Sequence, residues 1–196
     1  MADNFANAGV YIIQTFFGLY TLLIMVRMLM QVARADYYNP ICQAIVKITE
    51  PAVRPLRPVL PSVMGVDFAS LVVAFLVQLA AIMLIMKLYG QPVFSPLYAA
   101  WVLIGLFSII FTIYFFALII MVIASFIAPY SDHPALTLIH QLVEPVCAPA
   151  RKLLPPMGGL DFSIILVFVA INVIEIIVIN PIAATLQVPR GLILGL

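Results

Sequence analysis

A nineteen-residue stretch occurs twice in this chain, and its two copies set what the chain can fold into. Residues 50–68 read EPAVRPLRPVLPSVMGVDF and residues 144–162 read EPVCAPARKLLPPMGGLDF. At a shift of 94 residues they align without a gap and share Glu50/Glu144, Pro51/Pro145, Pro55/Pro149, Arg57/Arg151, Leu60/Leu154, Pro61/Pro155, Gly65/Gly159, Asp67/Asp161 and Phe68/Phe162. Nine identities in nineteen positions, most of them proline, glycine or charged, are hard to reach by chance in a greasy chain. The chain is a tandem duplication, and any fold must be built twice from one pattern.

Composition then selects the solvent. Hydrophobic residues make up 65% of the 196, charged residues only 9%, and the mean hydropathy is +1.22. Soluble domains are nearer half apolar and a quarter charged. A soluble core of this size could not bury so many Ile, Leu, Val and Phe side chains, so the pattern is that of a multi-span membrane protein. Cys42 and Cys147 are too few for a disulfide framework and do not match in the repeat; they read as buried or interfacial thiols. The first residues carry no basic run or cleavage site, so the first apolar segment reads as a retained span. Without an Arg/Ser-rich transit pattern, a bacterial inner membrane is expected rather than an organelle.

Four spans are expected, at about residues 10–33, 68–88, 97–128 and 162–179. The first is about 36 Å long, enough to cross roughly 30 Å of hydrocarbon, and Arg27 near its end is expected to snorkel to the head groups. The third is too short for two spans and a turn, and is expected to be one tilted or protruding helix with Tyr98 and Trp101 in an aromatic belt. Between spans one and two lies an amphipathic stretch whose Ile41, Ala44, Ile45, Ile48 and Ala52 share a face. Leu138, Ile139, Leu142, Val143 and Val146 repeat it. Both stretches should lie along the interface. The prolines after them should break the chain into short kinked or extended pieces.

The fold class expected is thus an all-α membrane protein of four transmembrane helices in two tandem parallel repeats, each with a cytoplasmic amphipathic, proline-rich interfacial segment. The repeats cover residues 1–90 and 97–180, with a hinge at 91–96 and a tail at 181–196 that is expected to rest on the membrane. The repeated loops hold Arg34, Lys47, Arg54, Arg57, Arg151 and Lys152, whereas the other side holds Lys87 and Arg190. That bias places the loops in the cytoplasm and both termini outside. With an even number of spans per repeat, the halves run parallel about an axis along the membrane normal.

Each candidate residue has a bland and a sharp reading. Asp67 and Asp161 precede spans two and four, where a carboxylate caps a helix; a symmetric acidic pair at a vestibule is the sharper alternative. Arg57 and Arg151, with Arg54 and Lys152, suit anionic head groups or a protein partner; nucleic acid is disfavoured because no aromatic residues interleave with them. Gln78 and Asn172 match in the repeat and read as hydrogen-bonding glue between helices or as part of a polar path. Glu175 is the one acid deep in a span; it reads as a protonated, hydrogen-bonded group or as a functional carboxylate, and Lys87 and Arg27 both lie too far along the normal to pair with it convincingly. Gly9, Gly18, Gly105 and Ser108 could pack copies of the chain together as a homo-oligomer. His133 and His140 come with no ligand-spaced partner, and no catalytic triad, phosphate loop or zinc motif occurs. No enzyme activity, cofactor or metal is expected.

The doubled Glu-Pro-x-x-x-Pro-x-Arg-x-x-Leu-Pro-x-x-x-Gly-x-Asp-Phe pattern, with Arg27, Asn39-Pro40 and the segment from Pro155 to Ser163, resembles the YggT family of bacterial inner-membrane proteins. The first copy departs from the family's Pro-x-Gly-Gly form, with Ser62-Val63-Met64-Gly65 in its place. The resemblance implies a part in hyperosmotic-stress tolerance and ion uptake. Through YlmG relatives it implies cell division, nucleoid distribution or assembly of membrane complexes, with a membrane or division protein as partner. It carries over no catalytic or ligand-binding residue. Two functions follow as expectations: support of potassium or osmotic homeostasis, and a scaffold working at the cytoplasmic interface.

Overall fold

In the computed structural model, residues 2–63, 65–127, 131–154, 161, 163–189 and 191–192 are described, with no side-chain account of residues 2–4. The helices are α1 (Ala2–Val32), α2 (Pro40–Val53), α3 (Phe68–Leu88), α4 (Pro96–Ile127), α5 (Pro134–Leu153), α6 (Ser163–Ile174) and α7 (Asn180–Thr185), with a π-helical turn at Glu175–Ile179. Four stretches are long and apolar enough to cross a bilayer: Phe5–Val32, Phe68–Leu88, Pro96–Ile127 and Ser163–Thr185. The described residues are all-helical, with two amphipathic helices, α2 and α5, set between the four candidate spans.

The first span starts earlier than its apolar run, because α1 continues back through the polar residues before Val10. It ends where Arg34 takes a left-handed φ of 52° and Ala35 N–H bonds Met30 O at 2.9 Å. Gly90 does the same work for α3: its φ is 68°, and Gln91 N–H reaches Met86 O. At 32 residues, α4 is about 48 Å long and outreaches the hydrocarbon. Tyr98 and Trp101 turn inward rather than into a lipid-facing belt. Both are buried, because their polar tips find backbone acceptors: Tyr98 OH donates to Pro92 O at 2.6 Å and Trp101 Nε1 to Leu186 O at 2.8 Å.

The fourth span runs past its expected end. Pro181 lacks an N–H and its ring crowds the carbonyl four residues back, yet the helix continues to Thr185. The wide π turn immediately before it makes the room. Part of the tail folds back onto α1: Gln14 Nε2 donates to Gly191 O at 2.8 Å, and Leu192 is buried. The core lies among α1, α3, α4 and α6, around Ile24, Met25, Ile82, Ile85, Ile109 and Leu118.

The proline-rich copies differ. In the first, α2 passes through Pro51 and stops at Val53, giving way to a 3-10 turn at Arg54–Leu56. In the second, α5 carries straight through Pro145 and Pro149, against the expected break. Both prolines are exposed, so the carbonyls they leave without donors lie on the outer side of the helix. Residues 155–160 lie outside the described ones. The buried stripe of α2 is Cys42, Ile45, Thr49 and Val53, while Ile48 and Ala44 face out. The expected stripe is therefore turned by one position, because polar Thr49 faces inward.

Candidate functional site

The three charged identities of the repeat converge. In the second copy, Glu144 and Arg151 lie two turns apart on α5, and Asp161 stands just before α6. Arg151 Nη1 donates to both Glu144 oxygens at 2.7 Å, and its Nε to Asp161 Oδ2 at 2.8 Å. Asp161 also accepts from Ser163 N at 3.0 Å and from the Ser163 hydroxyl, so it caps α6 while it holds the arginine. Bonds to Asp161 and then Glu144 push the Arg151 guanidinium above its ordinary value. Burial alone would raise Asp161, but the Ser163 and Arg151 bonds outweigh it and hold the carboxyl below the usual range.

The first copy has the same three groups and a fourth. Asp67 is buried, accepts from Ser70 N at 3.3 Å and Ser70 Oγ at 2.8 Å, and so caps α3. Arg57 stands between Glu50, at 3.6 Å, and Asp67, at 3.7 Å, too far for hydrogen bonds to either. Glu50 is taken by Arg27 instead. Arg27 does not snorkel; it is 3% exposed, its Nη2 donates to Glu50 Oε2 at 2.6 Å and its Nη1 to Thr49 Oγ1 at 2.8 Å. A buried guanidinium needs such a set of acceptors. The Arg27 hydrogen bond is the main reason the Glu50 carboxyl lies below its ordinary value.

Arg27 and Thr49 change together between the copies. At the same shift, Met121 replaces Arg27 and Val143 replaces Thr49. Where the buried cation is absent, so is the hydroxyl that serves it. Sequence reading placed Arg57 and Arg151 as outward cations and Asp67 and Asp161 as caps, without joining them to Glu50 and Glu144. The signal was present, since all six are identities of the repeat. Arg54 and Lys152 lie outside the triads, exposed.

The two amphipathic helices, α2 and α5, meet. Asn39, which caps α2, donates from Nδ2 to Pro134 O at 2.7 Å, and Asp36 N donates to Gln141 Oε1 at 3.0 Å. His133, the repeat counterpart of Asn39, caps α5 by accepting from Ala135 N at 3.2 Å.

The intramembrane candidates stand on two helices, Gln78 on α3 and Asn172 and Glu175 on α6 and the turn that continues it. Gln78 is 3% exposed, its Oε1 has no hydrogen-bond partner among the described residues, and it borders a cavity of about 220 Å³ with Gln14, Thr15 and Gly18. Asn172 spends its amide on Phe168 O of its own helix, at 2.7 Å. α3 packs on α1 and α4, and α6 on α4 and α5, so the two amides stand on helices that both pack against α4. Glu175 opens the π turn, half-buried. Gly18, Gly105 and Ser108 are buried within the chain, and a Cβ on Gly9 would meet Leu88 Cδ1 at 3.2 Å, so these small residues serve packing inside one copy.

Comparison with known proteins agrees with the doubled architecture. The CCB3/YggT family model matches residues 6–88 and again residues 94–182. An uncharacterised protein of Pseudomonas aeruginosa is 44% identical over 188 residues, 95% of each chain. An uncharacterised protein of Vibrio alginolyticus is 35% identical, over 85% of this chain and 90% of its own. The uncharacterised protein YggT of Escherichia coli K12 is 34% identical, over 91% of this chain and 93% of its own. No solved structure matches. The chain therefore belongs to the CCB3/YggT family, with the family pattern present twice.

Proposed function

We propose that this protein is a non-enzymatic, multi-pass protein of the bacterial inner membrane that acts as a scaffold through its cytoplasmic face. Its contribution to osmotic-stress tolerance and ion homeostasis then runs through a membrane or division protein held there. One observation carries this reading: the charged identities of the repeat gather into two triads beside α2 and α5, which bond each other. The intramembrane polar residues, by contrast, are divided between two helices. In this reading the two repeats run parallel, the loops face the cytoplasm in accord with their positive charge, both termini face out, the exposed Lys47 lies against anionic head groups, and the exposed Arg54 and Lys152 face the protein partner.

A second reading, direct ion passage, is favoured by the unpartnered Gln78 oxygen beside its cavity. A deletion strain grown at high external osmolarity separates the two. Glu175→Gln and Gln78→Leu should both rescue growth as wild type does, whereas Arg54→Glu with Lys152→Glu should fail while the protein still accumulates in the membrane. Rescue by the charge-reversed protein together with failure of Gln78→Leu would remove the scaffold reading and favour passage.

A further inference from the structure

We infer that the first repeat, and not the second, holds a binding site for a phosphate group, with Arg57 as its ligand. The argument starts from the one-sided change between the copies. In the second repeat a single arginine takes both carboxylates at hydrogen-bond distance. In the first, Arg27 takes Glu50 at 2.6 Å, and Arg57 is left 3.6 and 3.7 Å from its two carboxylates. Its guanidinium carries five N–H donors, is 43% exposed, and makes no hydrogen bond among the described residues. The buried Arg27 thereby frees the outer arginine.

The freed donors border a cleft of about 560 Å³ lined by Gln31, Tyr37, Arg57, Pro61, Ser62 and Asp67. Asp67 lines the cleft with its oxygens engaged with Ser70, and Glu50, 3.6 Å from the same guanidinium, is bonded to Arg27. The amide, phenol and hydroxyl around the cleft can donate to an anion, and a planar guanidinium fork matches phosphate oxygens. Around the first repeat, Arg27, Arg34, Lys47, Arg54 and Arg57 outnumber Asp36, Glu50 and Asp67. Around the second, Arg151 and Lys152 are outnumbered by Asp132, Glu144 and Asp161. An anion is therefore drawn to the first copy.

The cleft lies where α1 ends and α3 begins, at the boundary of the spans, with Val59 and Val63 exposed beside it. Phosphate at that level is carried by a phospholipid head group or by a soluble phosphate. The site stands whether or not a protein partner docks on the same face.

Native mass spectrometry of the full-length protein in neutral detergent tests this, with phosphatidylglycerol, phosphatidylcholine and inorganic phosphate as probes. Wild type should retain one phosphatidylglycerol in preference to phosphatidylcholine. Arg57→Gln should weaken that binding by about tenfold, Arg57→Lys by less, and Lys152→Gln by under about twofold. Displacement of the lipid by inorganic phosphate would identify a soluble phosphate as ligand; retention in its presence would identify the lipid. Arg57→Gln should melt with wild type, since no close bond is lost; if it does not, the Arg57→Lys comparison carries the test. Equal retention by wild type and both Arg57 variants would overturn the site, as would an equal loss in Lys152→Gln or no binding of any phosphate-bearing probe.

Discussion

Glu50 and Glu144 are the same residue in the repeat, yet they hold different weights. Among the described residues Glu50 is the only carboxylate bonded to Arg27, which has 3% exposure and little water to fall back on. Glu144 shares Arg151 with Asp161, and that arginine reaches solvent. Removing one partner of a buried pair costs more than removing one of two acceptors from a half-exposed cation. Glu50→Gln should therefore destabilise the protein by about 1–3 kcal/mol and Glu144→Gln by about 1 kcal/mol or less, read from unfolding in detergent. Equal losses would mean that Arg27 does not depend on Glu50. Acid should act on the same groups. The carboxyls of Glu50 and Asp161 are both held below their ordinary values when folded. Their contribution is present above the unfolded carboxylate range near pH 4 and is lost as pH falls through the folded values. Melting temperature should thus hold level from about pH 7 to 5 and drop below about pH 4, and Asp161→Asn should drop less on acidification than wild type.

At the level of elements, what could be read from sequence follows from which forces act locally. Span two was legible to the residue, because Asp67 caps it and Gly90 ends it, and both signals lie in the chain next to the helix. The existence of α2 and α5 was legible from their period. The face α2 buries was not, because Thr49 turns inward only to serve an arginine twenty-two residues away. Helix continuation through Pro145, Pro149 and Pro181 was hidden for a related reason. Proline forbids a helix only where its missing bond must be replaced inside the core; on an exposed face, or after a π turn, the helix survives. The charged cluster followed the same rule. Each charge was visible as a repeat identity, but pairing them needed the fold of the segments between them. Arg27 was read as a snorkelling residue because depth in the sequence does not reveal which way a side chain faces.

For the molecule as a whole, the duplication does more than build two similar halves. Asn39 and His133 cap equivalent helices, but Asn39 also donates from its amide to Pro134 of the other half, and among the described residues His133 Nε2 makes no matching bond. Together with Asp36 N–H on Gln141, this joins the two amphipathic helices, α2 and α5, into one layer. A scaffold needs such a layer to be rigid, and a pair of independent halves would not supply it. In a background with Cys42 and Cys147 replaced by serine, Asp36→Cys with Gln141→Cys should be linked within one chain by a short thiol crosslinker in intact membranes. Asn39→Leu should reduce the yield, because it removes the arm to Pro134 and leaves α2 uncapped. Lys47→Cys with Gln141→Cys serves as the distance control, since Lys47 lies on α2 and is exposed. Efficient linkage between chains rather than within one would place the contact between copies and make the layer an assembly of protomers. No linkage of either kind would mean that the halves move apart in the bilayer, and a joint cytoplasmic surface would then lose its structural basis.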